Sequence, residues 1–143
     1  MNGKDLLRAY PAYAPYQEAL REIFEKPPEA FVRRFPTLAA SWRPFLMHLI
    51  ERDFDIDSFR KAASDIRDFQ QWLLDKSVAP ARIPPSLINE FARDLRARFR
   101  KRNHTSMDPR AILDVCGAIE CFLAFAAHQC QSSRRASDIE AGR

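Results

Sequence analysis

Residues 56–76 read IDSFRKAASDIRDFQQWLLDK, and this stretch decides the fold. Phe59, Ala62, Ala63, Ile66, Phe69 and Leu73 recur at spacings of three and four. That spacing collects them on one side of a helix. Asp65 and Asp68 then fall on the exposed side, and Trp72 stands at the edge of the apolar stripe. Asp55 or Asp57 supplies the N-cap, because a short carboxylate accepts from the unsatisfied N–H groups of a first turn. The spacing predicts a helix over 56–76.

The flanking sequence repeats the pattern, punctuated by proline, which fits the first turn of a helix. Pro85-Ser86 opens a segment with Leu87, Ile88, Phe91, Leu95 and Phe99 directed inward. It ends near Asn103, a residue that tolerates a left-handed C-terminal conformation. Asp108-Pro109 pairs a cap with a first-turn proline and opens a helix reaching about Gln129. Ile112, Val115, Cys116, Ile119, Phe122, Leu123 and Ala126 form its main stripe, and Gly117, Ala118, Cys121, Ala124 and Phe125 make its far side weakly polar. A helix apolar nearly all round is central in a bundle or meets a partner.

Upstream, Pro15 opens a segment to about Lys26 with Ala19, Leu20, Ile23 and Phe24 on one face, closed by Pro27-Pro28. Pro28 opens a short piece carrying Phe31, Val32 and Phe35. Pro36 and Pro44 divide the next stretch, and a helix carries Phe45, Leu46, Leu49 and Ile50. The expectation is an all-α compact bundle of about five or six helices. An N-terminal helical segment, 1–52, packs on a helical domain, 53–130, and residues 131–143 form a mobile tail without apolar periodicity.

Composition agrees with a globular domain. The chain has 143 residues, 46% of them hydrophobic with 11 Phe, and 29% charged. That is core material enough without disulfides or metals. Glycines stand only at 3, 117 and 142, which excludes glycine-rich phosphate loops and disfavours tight hairpins. No apolar run is expected to approach membrane-span length. Lys4, Asp5 and Arg8 interrupt any signal-peptide core, so the chain reads as cytoplasmic, with no membrane partner.

Few residues suggest reaction chemistry. Cys116 and Cys121 would point roughly 140° apart on a helix, so with Cys130 they read as reduced structural thiols. His48, His104 and His128 stand beside no nucleophile or carboxylate at a useful spacing. His128 follows Cys121 by one heptad, but two candidate ligands do not make a zinc site. Asp53, Asp55 and Asp57 alternate as in a calcium loop but lack its central glycine and terminal glutamate, and capping explains them better. The chain is expected to be no enzyme, with no cofactor and no metal.

Charge is the informative feature. The net charge is +4, yet residues 82–110 hold eight Lys/Arg against three acids. An excess of +5 there leaves −1 for the remainder. Arg93, Arg96 and Arg100 share one stripe opposite Phe91, Leu95 and Phe99, and Lys101, Arg102, His104 and Arg110 carry the charge on. Such a stripe can neutralise phosphates, with counterion release driving binding; it is also what the solvated face of an amphipathic helix looks like. Tyr10, Tyr13 and Tyr16, interleaved with prolines, either stack on a partner or pin the N-terminal segment to the bundle. Tyr13, Trp42, Cys121 and Phe125 are the candidates for an exposed apolar patch that binds a protein partner or a second copy.

The stretch from about Asp53 to His128 resembles the core-binding domain of phage-integrase-type tyrosine recombinases. The resemblance rests on Asp65-Ile66-Arg67-Asp68-Phe69-Gln70-Gln71-Trp72-Leu73, on the proline-started run Ile83-Pro84-Pro85-Ser86-Leu87-Ile88-Asn89-Glu90-Phe91, and on Phe122-Leu123-Ala124-Phe125. It implies a SAM-like helical module that clamps double-stranded DNA in recombination and integration, with DNA contacts, by location, on the basic helix and its loop. The family's catalytic arginines, His-x-x-Arg box and tyrosine nucleophile belong to a further domain, which these residues do not include.

Overall fold

A computed structural model of the chain describes residues 14–23, 27–76 and 83–141. Among the described residues there are six helices and no strand: α1 (Ala14–Ile23), α2 (Glu29–Arg34), α3 (Pro36–Glu51), α4 (Ile56–Asp75), α5 (Pro85–Asn103) and α6 (Pro109–Ala141). Tyr10, Tyr13, the end expected for the first helix near Lys26, and most of the Ser77–Pro84 loop, Arg82 included, lie outside the described residues.

Helix α4 starts where the sequence places it. Asp55 is the N-cap: its carboxylate accepts from the Ser58 backbone N–H at 2.9 Å and from the Ser58 hydroxyl at 3.0 Å. Those bonds to the ionised form hold the Asp55 carboxyl below its usual range. Asp108 caps α6 in the same way, accepting from the Arg110 backbone N–H at 2.9 Å. The apolar stripe of α4 is buried at Phe59, Ala63, Ile66, Phe69, Trp72 and Leu73.

Helix α6 is the common wall of the bundle, packing against α3, α4 and α5. Its buried stripe is Ile112, Val115, Ile119, Phe122 and Ala126. Phe122 meets Trp42 edge-on at 5.8 Å between centroids and Phe45 at 5.3 Å. Across the bundle, Phe91 of α5 meets Phe69 at 5.4 Å and Trp72 at 5.5 Å, both edge-to-face. Tyr16 pins α1 onto α4 by stacking edge-on to Phe59 at 5.6 Å, while its hydroxyl donates to the Phe54 carbonyl.

Four expectations need correction. Pro44 does not divide the chain: α3 runs unbroken from Pro36 to Glu51 with Pro44 inside it. The helix tolerates the lost N–H because Trp42, Phe45, Leu46, Leu49 and Ile50 are all buried by the same face. Second, α6 does not stop near Gln129 but continues to Ala141. The polar run after Gln131 has no apolar stripe, yet it contains no Pro or Gly before Gly142 to end a helix.

Third, the left-handed residue after α5 is His104, with φ 56°, not Asn103. Asn103 instead ends the helix with its side-chain amide donating to the Phe99 carbonyl at 3.1 Å. Fourth, Pro109–Gln129, with a mean hydropathy of 1.7, is long and apolar enough to cross a membrane by length and composition. Its buried stripe packs against the other helices of the bundle, yet only 22% of this apolar window is buried, and Leu113 on the outer side is 71% exposed.

Candidate nucleic-acid interface

The basic helix α5 is held at its first half and free at its second. Ile88, Phe91 and Ala92 are buried, whereas Leu95 and Phe99 are only half-buried. The helix therefore leans on the core through its first turns, and its last turns stand at the rim. Arg93, Arg96, Arg98, Arg100, Lys101, Arg102 and Arg110 are all exposed. Arg93, Arg96 and Arg100 fall within about 60° of one another at 100° per residue, on the outward side.

Two ion pairs occur among the described residues, Lys61 with Asp65 at 3.0 Å and Lys76 with Asp94 at 3.1 Å. Neither involves an arginine of α5. The second also occupies the acid that would otherwise offset the helix's charge. Asp94 accepts from the Trp72 indole N–H at 2.9 Å and from Lys76. These two hydrogen bonds hold the Asp94 carboxyl below its usual range. Arg96 keeps to its own helix, its Nε donating to the Ala92 carbonyl at 3.4 Å.

The end of α5 is built to gather cations. Arg100, Lys101 and Arg102 occupy the last turn, where unpaired carbonyls make the helix terminus negative. His104 turns the chain in the left-handed region, its backbone N–H returning to the Arg100 carbonyl at 2.9 Å. The short link to α6 then brings Arg110 in on the first turn of the next helix. Cations on one helix end and on the start of the next can meet successive phosphates of a nucleic-acid backbone.

Not every basic residue named from the sequence lies on this outward stripe. Arg102 is turned roughly 180° from Arg93. With Arg98, Leu95, Phe99, Asn103 and Asp68 of α4 it lines a groove of about 260 Å³. Arg98 was missed by the sequence reading, although its i,i+4 relation to Arg102 was legible. Asp68 was read as a plain surface acid, and only the packing of α4 beside α5 brings it here.

The patch expected for a protein partner is dispersed. Trp42 is 2% exposed, inside the core against Phe122, and is no surface anchor. Phe125 is half-buried, edge-on to Phe45 at 5.5 Å and tilted against His48 at 5.1 Å. Cys121 is exposed on the outer side of α6, and Tyr13 lies outside the described residues. Leu113, missed by the sequence reading, is the most exposed of the large apolar side chains described.

Among the described residues, the remaining polar groups singled out from the sequence are not brought together. His48 packs between Phe45 and Phe125 rather than beside a nucleophile. Burial pushes the Cys116 thiol up, Glu120 adds to this, and the Arg96 charge opposes it. That is the reverse of an activated thiolate. Among the described residues no group of three or more His, Cys, Asp or Glu could hold a metal ion. No family model, no curated protein and no solved structure matches this chain.

Proposed function

We propose that this chain is a non-catalytic, cytoplasmic DNA-binding module, related in kind to the core-binding domains of tyrosine recombinases, that docks on duplex DNA through α5. The observation that carries the reading is the exposed arginine stripe of α5: Arg93, Arg96 and Arg100 form no ion pair among the described residues. Lys101, His104 and Arg110 extend it around the α5–α6 link, while Arg102 faces the groove beside α4. The first half of α5, anchored by Phe91 on Phe69 and Trp72, gives the stripe a rigid mount.

Neutralising phosphates with these cations releases condensed counterions, so affinity falls with salt. Four phosphate contacts correspond to a slope of about −3.6, and to a loss on the order of 100-fold between 50 and 200 mM salt. The test is a duplex gel-shift titration at two salt concentrations. Binding that weakens steeply with salt supports the reading, and Arg93, Arg96 and Arg100 changed together to Glu should abolish it while the circular dichroism spectrum stays helical. Salt-insensitive binding, or none at low salt, rejects it.

A second reading is favoured by Leu113, which is 71% exposed on a side of α6 that also presents Cys121 and Ala124. Exposed apolar surface of this kind is where a protein partner or a second copy docks. A mass that rises with concentration in light scattering, and returns to the monomer value in Leu113→Glu, would support assembly through α6. A strict monomer counts against self-assembly.

A further inference from the structure

The groove between α4 and α5 is lined by charges of opposite sign and by two apolar side chains. Arg98 and Arg102 stand one turn apart on α5, Asp68 comes from α4, and Leu95 and Phe99 of α5 complete the lining with Asn103. All three charged residues are exposed, and neither arginine lies within ion-pair distance of the carboxylate. A groove that served only the fold could close with an Arg–Asp pair across it. This one stays open, its polar groups unsatisfied by one another. Asn103, also on the rim, is already engaged with the Phe99 carbonyl.

Its size and chemistry define an occupant. At about 260 Å³ it is below the roughly 300–1,000 Å³ of sites that enclose a whole ligand, so it admits one flat group with the rest outside. The half-buried Phe99 ring offers a stacking surface. The guanidinium groups suit a phosphate attached to that flat group. The carboxylate oxygens of Asp68 accept hydrogen bonds and so call for donors on the group's edge. Guanine presents two adjacent donors, its ring N–H and its amino group, to match the two carboxylate oxygens. Thymine flanks its single donor with carbonyl oxygens, which a carboxylate repels.

We infer that the α4–α5 groove binds an unpaired guanine nucleotide, with the base on Phe99, its donor edge on Asp68 and its phosphate on Arg98 and Arg102. Both this inference and the duplex reading make α5 a nucleic-acid contact. The inference uses the side of the helix facing α4, whereas duplex docking uses the outward stripe, so the two can fail separately. A base inside a duplex cannot present that edge, so the groove acts on single-stranded or extruded guanine.

The test is fluorescence anisotropy on the full chain with a short oligothymidylate strand, the same strand carrying one central guanine, and a duplex of equal length. The guanine strand should bind several-fold more tightly than oligothymidylate. Asp68→Asn should erase that preference while duplex affinity is unchanged or slightly raised. Phe99→Ala should weaken strand binding on the order of tenfold. Because Phe99 is half-buried and its loss could loosen the fold, the exposed Asp68→Asn substitution is the deciding variant. Equal binding of the two strands, or a guanine preference that survives Asp68→Asn, overturns the groove assignment. Duplex binding without guanine preference overturns the groove alone. Guanine preference without duplex binding leaves the groove standing and removes the duplex reading.

Discussion

The indole N–H of Trp72 donates to the Asp94 carboxylate at 2.9 Å, joining the last turns of α4 to the middle of α5. Lys76 reaches the same oxygen at 3.1 Å and lies 5.9 Å from the centre of the Trp72 ring. The basic helix is thus fastened to the core by its own acid. The arrangement fixes the height of α5 on the bundle and withdraws one negative charge from the neighbourhood of Arg93 and Arg98.

The first prediction concerns acid stability. Hydrogen bonds from Trp72 and then Lys76 depress the Asp94 carboxyl in the folded protein. Such a group stabilises the fold fully above its unfolded pKa, near 3.9, and the stabilisation is lost as pH falls through the lower folded value. Asp94→Asn should therefore lower the thermal midpoint at neutral pH, with a gap that closes below about pH 4. Asp65 acts with the opposite sign, since burial raises its carboxyl despite the Lys61 partner. Thermal melts of both proteins across this range decide the matter, and a gap that stays constant with pH would show that the carboxylate charge contributes nothing.

The second prediction is that Pro44→Ala stabilises the protein. Pro44 sits inside α3 and has no N–H to give the preceding turn. Alanine restores that bond and has a helix-interior preference about 3 kcal/mol better than proline. The half-buried ring does some packing, so a net gain of about 1–3 kcal/mol is expected in denaturant unfolding. A loss would mean that the ring's contacts outweigh the backbone bond.

How far the fold could be read from the sequence turns on such local signals. The bounds of α4 and α5, and the caps at Asp55 and Asp108, were legible because periodicity and capping act within a few residues. Trp42 was misplaced on the surface because Pro44 was read as a break. On a continuous helix Trp42, Phe45, Leu46 and Leu49 form one stripe at spacings of three and four, and all are buried. The length of α6 was underestimated because an apolar stripe reports burial, not helicity. Of the candidate site, the outward arginine stripe was visible in the sequence. The groove was not, since Asp68 and Arg98 are brought together only by the packing of two helices across a loop.

The third prediction tests the aromatic junction of α3 and α6. Phe122 is fully buried, with Trp42 and Phe45 edge-on against it. Truncation to alanine removes the ring that both partners share and leaves a void the helices can only partly close. A cost of about 3–5 kcal/mol is expected, a large part of the stability of a typical domain. Chemical denaturation should show an early midpoint, and Phe122→Leu, which keeps most of the volume, should recover much of the loss.

The fourth prediction concerns Gln70, which is 1% exposed on α4. Neither its amide nitrogen nor its amide oxygen has a hydrogen-bond partner. Burying polar atoms without partners costs about 1–3 kcal/mol for each group left unsatisfied. Methionine has nearly the same length and no such requirement, so Gln70→Met should raise stability by about 1–3 kcal/mol in urea unfolding. Gln70 lines a cleft of about 330 Å³ with Ser64, Arg67 and Gln71, so water entering the cleft could reach the amide if its side chain turned. In that case the amide is satisfied in solution, and Gln70→Met would leave stability unchanged or lower it. The sign of the change therefore decides whether Gln70 is an uncompensated polar group in the core or part of a hydrated cleft.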